Sequence, residues 1–191
     1  MKRINKYQLV ILMLFLSKLA YAENVITPRF SSVSWDNNTF TLSGNQLVFK
    51  KDNTNAIGAE YNYVFDNGLA VGGEILFQEW KVQSDTGGSF AGDANVYHAN
   101  VIGKYIFLRD GSVQPYVSLG VGVSRISVHS STDVILRGHS YQGAAGISFI
   151  LSNKMGLSLG YKKGYVSVDD DPGNEIKSHT DTLQLGLDIK F

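Results

Sequence analysis

The feature of this sequence that most constrains its fold is an alternation of apolar and polar residues with a period of two. In the last segment, odd positions from 183 to 191 are Leu, Leu, Leu, Ile and Phe, and even positions are Gln, Gly, Asp and Lys. This period places successive side chains on opposite faces of a β-strand. Similar segments occur near 25–35, 55–65, 69–82, 95–107, 117–124, 139–151 and 155–161. The chain is predicted to be all-β, with eight strands and no long helix.

The connections between these segments alternate in length. Short connections rich in turn residues lie at 66–68, 108–113 and 152–154, and longer polar ones lie at 36–54, 83–94, 129–138 and 169–178. Short and long connections then fall at opposite ends of an antiparallel sheet, as in outer-membrane barrels. We therefore predict an eight-stranded antiparallel up-and-down transmembrane β-barrel with short periplasmic turns and longer extracellular loops. Alternation at Phe40, Leu42, Leu47 and Phe49 leaves open how far the first strand extends into the first connection.

The first 22 residues have the pattern of a cleaved signal peptide. Basic residues near the start precede an apolar run that is too short to span a bilayer, and Ala20-Tyr21-Ala22 is a small-x-small cleavage pattern. We expect residues 1–22 to be a signal peptide and residues 23–191 to form the barrel domain. The leader carries four basic residues and no acidic ones, so the rest has 13 basic against 17 acidic residues. This acidic balance argues against a nucleic-acid partner.

Three observations predict that the apolar face contacts lipid, in contrast to a soluble barrel whose apolar face points inward. Glycines on the polar face suit a narrow interior: Gly58, Gly72, Gly120, Gly122, Gly146, Gly160 and Gly186. Aromatic residues on the apolar face lie near both strand ends, as in membrane girdles: Tyr63, Phe65, Tyr105, Phe107, Phe149 and Phe191 at one end, Tyr97, Tyr141 and Tyr165 at the other. Lys81, Arg125 and Lys163 share that face only near its long-loop end, where they can reach headgroups.

The leader, the segment Gln114-Pro115-Tyr116-Val117-Ser118-Leu119-Gly120-Val121-Gly122 and the alternating strand ending in Phe191 resemble those of small eight-stranded outer-membrane β-barrels of Gram-negative bacteria. This family includes the OmpA transmembrane domain, OmpX/Ail, OmpW and opacity-type surface antigens. The resemblance implies a cell outer membrane location. It also implies that the C-terminal strand with Phe191 is a signal for the outer-membrane assembly machinery. A wall-tethering role like that of OmpA is not expected, because no further domain follows the predicted barrel.

The polar face carries a set of charged residues that should point into the lumen. Across the turn at Asp66-Asn67-Gly68, the register places Glu60 opposite Glu74, an unfavourable pairing of like charges. The pair must share a proton or be bridged by cations, and Lys104 on the next strand is a suitable bridge. The predicted polar network comprises Glu60, Glu74, Lys104, Lys162, Asp188 and Lys190. Two interpretations stay open, an electrostatic gate and a polar plug that holds the barrel closed.

Outward basic residues near the long-loop end form a second candidate site. We expect them to contact lipopolysaccharide phosphates, since cations favour anionic headgroups; the alternative is scattered solubilising charge. These residues are Lys51, Lys81, Arg125, Arg137 and Lys163. Candidate contacts with a host or surface ligand lie in the connections: Trp35, Phe40, Leu42, Phe90, Ile135 and Arg137.

The sequence favours a non-enzymatic surface barrel that contributes to envelope integrity and makes surface interactions through its loops. The alternatives are a narrow OmpW-like channel for small or hydrophobic solutes and a lipid A-modifying enzyme. The absence of cysteine excludes disulfides and thiol chemistry. Four histidines without metal-ligand spacing predict no metal site and no cofactor. The His-x-Ser pattern of barrel lipid A hydrolases is missing, and a hydrolase would need a serine and an acid beside His98.

Overall fold

The computed structural model describes residues 23–36, 39–42, 45–48, 54–84, 91–129, 134–169 and 175–191. Within them the chain forms ten strands and no helix. The strands are β1 (Glu23–Trp35), β2 (Thr39–Leu42), β3 (Asn45–Val48), β4 (Thr54–Val64), β5 (Leu69–Ser84), β6 (Ala91–Ile106), β7 (Val113–His129), β8 (Val134–Ser152), β9 (Met155–Asp169) and β10 (Glu175–Lys190). The described residues contain no helix long and apolar enough to cross a membrane.

Eight of these strands close into an antiparallel barrel. β1 pairs with β4 on one side and with β10 on the other, and the remaining long strands pair with their neighbours along the chain. At the seam, the N–H of Phe191 donates to the carbonyl of Asn24 over 3.0 Å. The predicted eight-stranded antiparallel barrel is confirmed, because pairing of the first and last strands leaves no open edge in the wall.

The alternation in the sequence sets which face of each strand points outward. In β4 to β10, apolar side chains at odd positions lie on the outer surface, with Leu119 75% and Val101 69% exposed. Even positions of these strands point inward, so Gln78 and Thr182 are almost completely buried. In β1 the parity is reversed, so Ser31 is buried and Phe30 is exposed. An outer surface of large apolar side chains around a polar interior is the reverse of a soluble barrel and is the arrangement that lipid requires.

The long connections differ from the prediction because the strands continue into them. β8 begins at Val134 and β10 at Glu175, several residues before the predicted starts. The first connection contains a separate hairpin of β2 and β3, and β3 pairs with the far end of β5 at Leu47–Ser84 and Val48–Gln83. β1 ends at Trp35. Phe40, Leu42 and Leu47 therefore belong to this hairpin and not to an extension of β1, and Phe49 lies outside the described residues.

The interior has three layers. At the short-turn end Val25, Val64 and Ala70 form a small apolar cluster, with Ile106 packed against it. Polar and charged side chains fill the middle. Toward the long-loop end a larger apolar cluster contains Val33, Trp35, Ala56, Leu76, Ala94, Val96, Ile126, Leu136, Val166 and Val168. Trp35 is only 2% exposed inside this cluster. Its predicted role as a loop contact for a surface ligand is therefore wrong.

Two interior glycines make room for one large side chain. Tyr116 of β7 is buried, and its hydroxyl oxygen lies 2.5 Å from where a Cβ at Gly146 would stand. A Cβ at Gly160 would also collide with this hydroxyl oxygen. The phenol therefore crosses β8 and β9 over positions that only glycine can occupy without displacing it. The glycines of the polar face allow a narrow barrel to enclose bulky side chains.

Gly160→Ala is expected to destabilise the barrel by about 1–3 kcal/mol, the usual cost of overpacking. The free energy of unfolding in urea, measured for protein folded into lipid vesicles, tests this. Gly103→Ala is the matched control, because no heavy atom lies within 4 Å of a Cβ built at this outward position. Equal stability of the two variants would show that Tyr116 does not impose the requirement for glycine.

Candidate functional site

The centre of the lumen is occupied by two glutamates on adjacent strands. Glu60 of β4 and Glu74 of β5 are direct cross-strand partners, and both are 3% exposed. The two carboxylates do not share one bridging cation. Glu60 contacts Arg29 and Lys104, whereas Glu74 contacts Lys162. Each buried negative charge thus has its own positive partner, the condition under which buried ion pairs are tolerated.

Arg29 of β1 links the glutamates to the closing seam of the barrel. Its Nη2 lies 2.7 Å from Oε2 of Glu60, and its Nη1 donates to Oε1 of Gln184 on β10 over 2.8 Å. Arg29 was not among the predicted lumen residues, because serines in β1 dilute its alternation. The signal was available: Arg29 shares the parity of Thr27, Ser31 and Val33, so it lies on the same face as they do.

The Glu74 carboxylate is the centre of a second cluster. Lys162 Nζ donates to it over 3.0 Å, and Gln142 Nε2 donates to its Oε2 over 2.8 Å. Asn100 Nδ2 also donates to Oε2 over 3.3 Å, and Ser140 donates to the Asn100 side-chain oxygen over 2.8 Å. Four strands, β5, β6, β8 and β9, contribute to this cluster. Charge-assisted hydrogen bonds from several directions fix the carboxylate and stabilise the buried charge.

The other predicted lumen residues lie nearer the short-turn end. Asp188 accepts hydrogen bonds from Thr27, Ser148 and Ser158 over 2.8–3.2 Å. Lys190 lies at the mouth of the barrel, where its Nζ is 3.3 Å from Glu23. The structure therefore brings Glu60, Lys104, Glu74 and Lys162 together at the centre, and places Lys190 apart from them.

His98 has a serine beside it, as a hydrolase would require. Its Nδ1 lies 2.7 Å from Oγ of Ser124, and its ring stacks on Trp35 with centroids 6.4 Å apart. Ser124 is 3% exposed, and the lumen cavity beside His98 has a volume of about 30 Å³. This volume is about the share of one water molecule. The lumen side of His98 thus has no space for an acyl chain or a peptide, and the larger groove that both residues also line lies on the outer wall.

The outward basic residues whose side chains the structure describes do not form one contact network. Arg125 and Arg137 are exposed and are direct cross-strand partners on β7 and β8. Lys163 on β9 lies 3.5 Å from Asp181 of β10. Lys51 lies outside the described residues, as do Phe90 and the side chains of Lys81, Phe40 and Leu42. Ile135 is 42% exposed on the outer face of β8.

A closed antiparallel barrel with an apolar outer surface and a charged, enclosed lumen defines a transmembrane β-barrel. The model of the outer membrane protein β-barrel domain family matches residues 9–191. The chain belongs to this family and is an outer-membrane protein of the Gram-negative type, which confirms the predicted family and location. No curated protein matches the chain.

Solved structures share this fold at low sequence identity. Neisserial surface protein A (NspA) is 16% identical, with 88% of this chain and 97% of that chain covered at a TM-score of 0.65. OprG from Pseudomonas aeruginosa is 16% identical, with 89% and 96% covered at 0.65. Ail of Yersinia pestis, in complex with the heparin analogue sucrose octasulfate, is 18% identical, with 89% and 99% covered at 0.58. At these identities the likeness establishes the fold alone.

Glu74→Gln is expected to destabilise the barrel by about 3–5 kcal/mol, because it leaves the buried Lys162 ammonium without a counter-charge. Urea unfolding in lipid vesicles measures the change. A second substitution, Lys162→Met, should recover part of the loss by removing the unpaired charge. Lys163→Gln is the control, since its ion pair is exposed and its loss should change stability little. A stable Glu74→Gln variant with unchanged conductance would argue against both the plug and the gate.

Proposed function

We propose that this protein is a non-enzymatic outer-membrane barrel whose sealed body supports a surface-exposed region that contributes to envelope integrity and surface contacts. The observation that carries the proposal is the filled lumen. The ion pairs of Arg29, Glu60, Lys104, Glu74 and Lys162 lie between two apolar clusters. An interior held in this way suits a scaffold better than a pore.

The filled lumen also argues against the two alternative functions. A narrow channel needs a continuous path, whereas the apolar cluster around Trp35, Ile126 and Leu136 lies across the barrel above the charges. A lipid A-modifying enzyme needs catalytic groups that reach the lipid, whereas the side chains of His98 and Ser124 contact each other on the lumen side of the wall. We therefore favour the polar plug over the electrostatic gate as the role of the lumen charges.

The lengths of the strands support a surface role. About 9–11 residues suffice for a tilted strand to cross the membrane, but β7 has 17 and β8 has 19. The surplus lies at the long-connection end, where strand pairing continues to Val128–Val134. Paired strand ends hold the outer connections on a rigid base. Ail, which shares the fold, has been solved with a heparin analogue, and we extend to this chain only the idea that the outer end binds surface ligands.

Export and assembly complete the proposal. Residues 1–22 would be removed as a signal peptide, and the C-terminal strand ending in Phe191 would be recognised by the outer-membrane assembly machinery. Phe191 is 67% exposed on the outer surface at the short-turn end and takes part in the hydrogen bonds of the seam. An aromatic side chain at this position lies at the membrane interface, where such residues are favoured.

Planar-bilayer recording separates the scaffold from the channel. The refolded wild-type protein is expected to show no resolved ion conductance, because the apolar cluster at the long-loop end lies across the lumen. The double variant Trp35→Ala/Leu136→Ala, which removes bulk from the outer layer, serves as the comparison and should conduct more than the wild type. Steady single-channel conductance of the wild-type barrel would favour the channel.

A strain lacking the protein tests the surface role. Its adhesion to host cells and its sensitivity to large antibiotics should be restored by the wild-type chain. Replacing residues 130–133 and 170–174 with Gly-Ser linkers should abolish adhesion while leaving the antibiotic barrier intact, because the membrane-spanning wall is unchanged. Adhesion equal to that of the wild type would contradict a role of these outer connections. Mass spectrometry of lipid A from an overexpressing strain should show no new species.

A further inference from the structure

The outer wall of the barrel carries a groove that the filled lumen does not explain. It has a volume of about 810 Å³ and extends across five strands, from β4 to β8, on the lipid-facing side. Its outward lining residues include Ile57, Ala59, Phe77, Ala99 and Val123. A second groove of about 450 Å³ shares Ala59, Ile75 and Ala99 with the first and continues past Gly73 and Val101. Together they form one continuous apolar depression on the outer wall, which we call the wall groove.

Small side chains create the wall groove between larger ones. Ala59 and Ala99 flank Ile75 in one row of the sheet, and Gly73 lies between Tyr61 and Val101 in the next. Phe77 and Tyr97, whose ring centroids are 5.0 Å apart, form an aromatic wall in the row on the other side. A depression bordered by aliphatic and aromatic side chains fits an extended hydrocarbon chain. A chain that fills the depression makes van der Waals contacts that an empty void would lose.

Two arginines lie at one end of the wall groove. Arg125 and Arg137 line it and face each other across β7 and β8. Like charges directly opposite each other in a sheet are unfavourable, so an anion bound between them would be stabilised by both guanidinium groups. Asp169 lies opposite Arg137 on the far side, in β9, and is exposed. One negative charge does not balance two positive ones, so Arg125, Arg137 and Asp169 together carry a net positive charge.

The position of the arginines along the strands corresponds to the outer headgroups. The pair Val113–Phe149 lies at the short-turn end, in the region of the lower aromatic girdle, and Arg125–Arg137 lies twelve residues further along both strands. With a rise of about 3.4 Å per residue and a tilt of about 40°, twelve residues correspond to a height of roughly 30 Å. This exceeds the apolar band of about 25 Å by a few ångströms. The guanidinium groups therefore lie at the level of the headgroups in the outer leaflet.

We propose that the wall groove binds one molecule of lipid A, with a phosphate between Arg125 and Arg137 and an acyl chain along Phe77, Ala99 and Ala59. The arginines lie in the outer leaflet, which contains this phosphorylated glycolipid. Their position therefore favours lipid A over a phospholipid of the inner leaflet. Arginine suits phosphate because its planar fork can donate two parallel hydrogen bonds. The inference rests on the outer-membrane location and is independent of whether the lumen conducts or the loops bind a surface ligand.

Native mass spectrometry of the protein in detergent micelles tests the proposal, with purified bisphosphorylated lipid A as the probe. The wild-type protein should bind one lipid A at least about tenfold more tightly than the dephosphorylated form, since charge-assisted hydrogen bonds are removed with the phosphates. Arg125→Gln/Arg137→Gln should lose a similar factor for the bisphosphorylated form. Ala99→Phe, which fills the wall groove, should weaken binding of both forms.

Two variants serve as matched controls for these outward substitutions. Lys154→Gln removes an exposed cation in the short turn between β8 and β9, at the opposite end of the barrel, and Ala145→Phe enlarges an outward residue between Val117 and Tyr161, outside the wall groove. Both should bind lipid A as the wild type does. Heat-modifiable gel mobility establishes that each variant is folded.

Three outcomes would overturn the proposal. The first is equal affinity for bisphosphorylated and dephosphorylated lipid A. The second is unchanged binding by Arg125→Gln/Arg137→Gln or by Ala99→Phe. The third is equal affinity for phosphatidylglycerol, which would show that any anionic lipid suffices. None of these results bears on the conductance or adhesion tests, so the two proposals fail separately.

Discussion

The structure depends on the requirement that every backbone N–H and C=O group within a membrane be hydrogen-bonded by the protein itself. A sheet satisfies this requirement only by closing, and here β1 pairs with β4 and β10 at the same time. Closure fixes a narrow interior. Strict alternation then follows, because each strand must present one face to hydrocarbon and the other to a space that few large side chains can share.

The narrow interior determines how its charges are held. Glu60 and Glu74 are each only 3% exposed, so little water reaches their carboxylates. The carboxylates are stabilised by Arg29, Lys104 and Lys162, and by amide donors such as Gln142. Tyr116 contributes a further contact, with Lys104 Nζ 4.8 Å from its ring centroid. The lumen is polar as expected for a membrane barrel, but its charges are internally neutralised.

Alternation predicted the barrel and the facing of Glu60 and Glu74, because parity along a strand survives large errors in strand ends. Other features needed three dimensions. Arg29 was missed because its serine-rich strand lacks contrast between faces. Trp35 was misassigned because an apolar residue next to a connection has the same local pattern whether it points into the lumen or into solvent. The wall groove depends on Ala59, Gly73 and Ala99 meeting across three strands, and no pattern within one strand encodes such a meeting.

The contacts of Arg29 have a consequence for the order of assembly. This one side chain joins β1 to Glu60 on β4 and to Gln184 on β10. Arg29 and Gln184 are 155 positions apart in the sequence. Before the last strand reaches the first, the guanidinium lacks one of its partners and the interior is open to water. Contacts between such distant parts of a chain slow folding, because the loop entropy is lost before the contact forms. Desolvation of the central charges is thereby delayed until the ring is complete, which couples the formation of the interior to the final step of insertion.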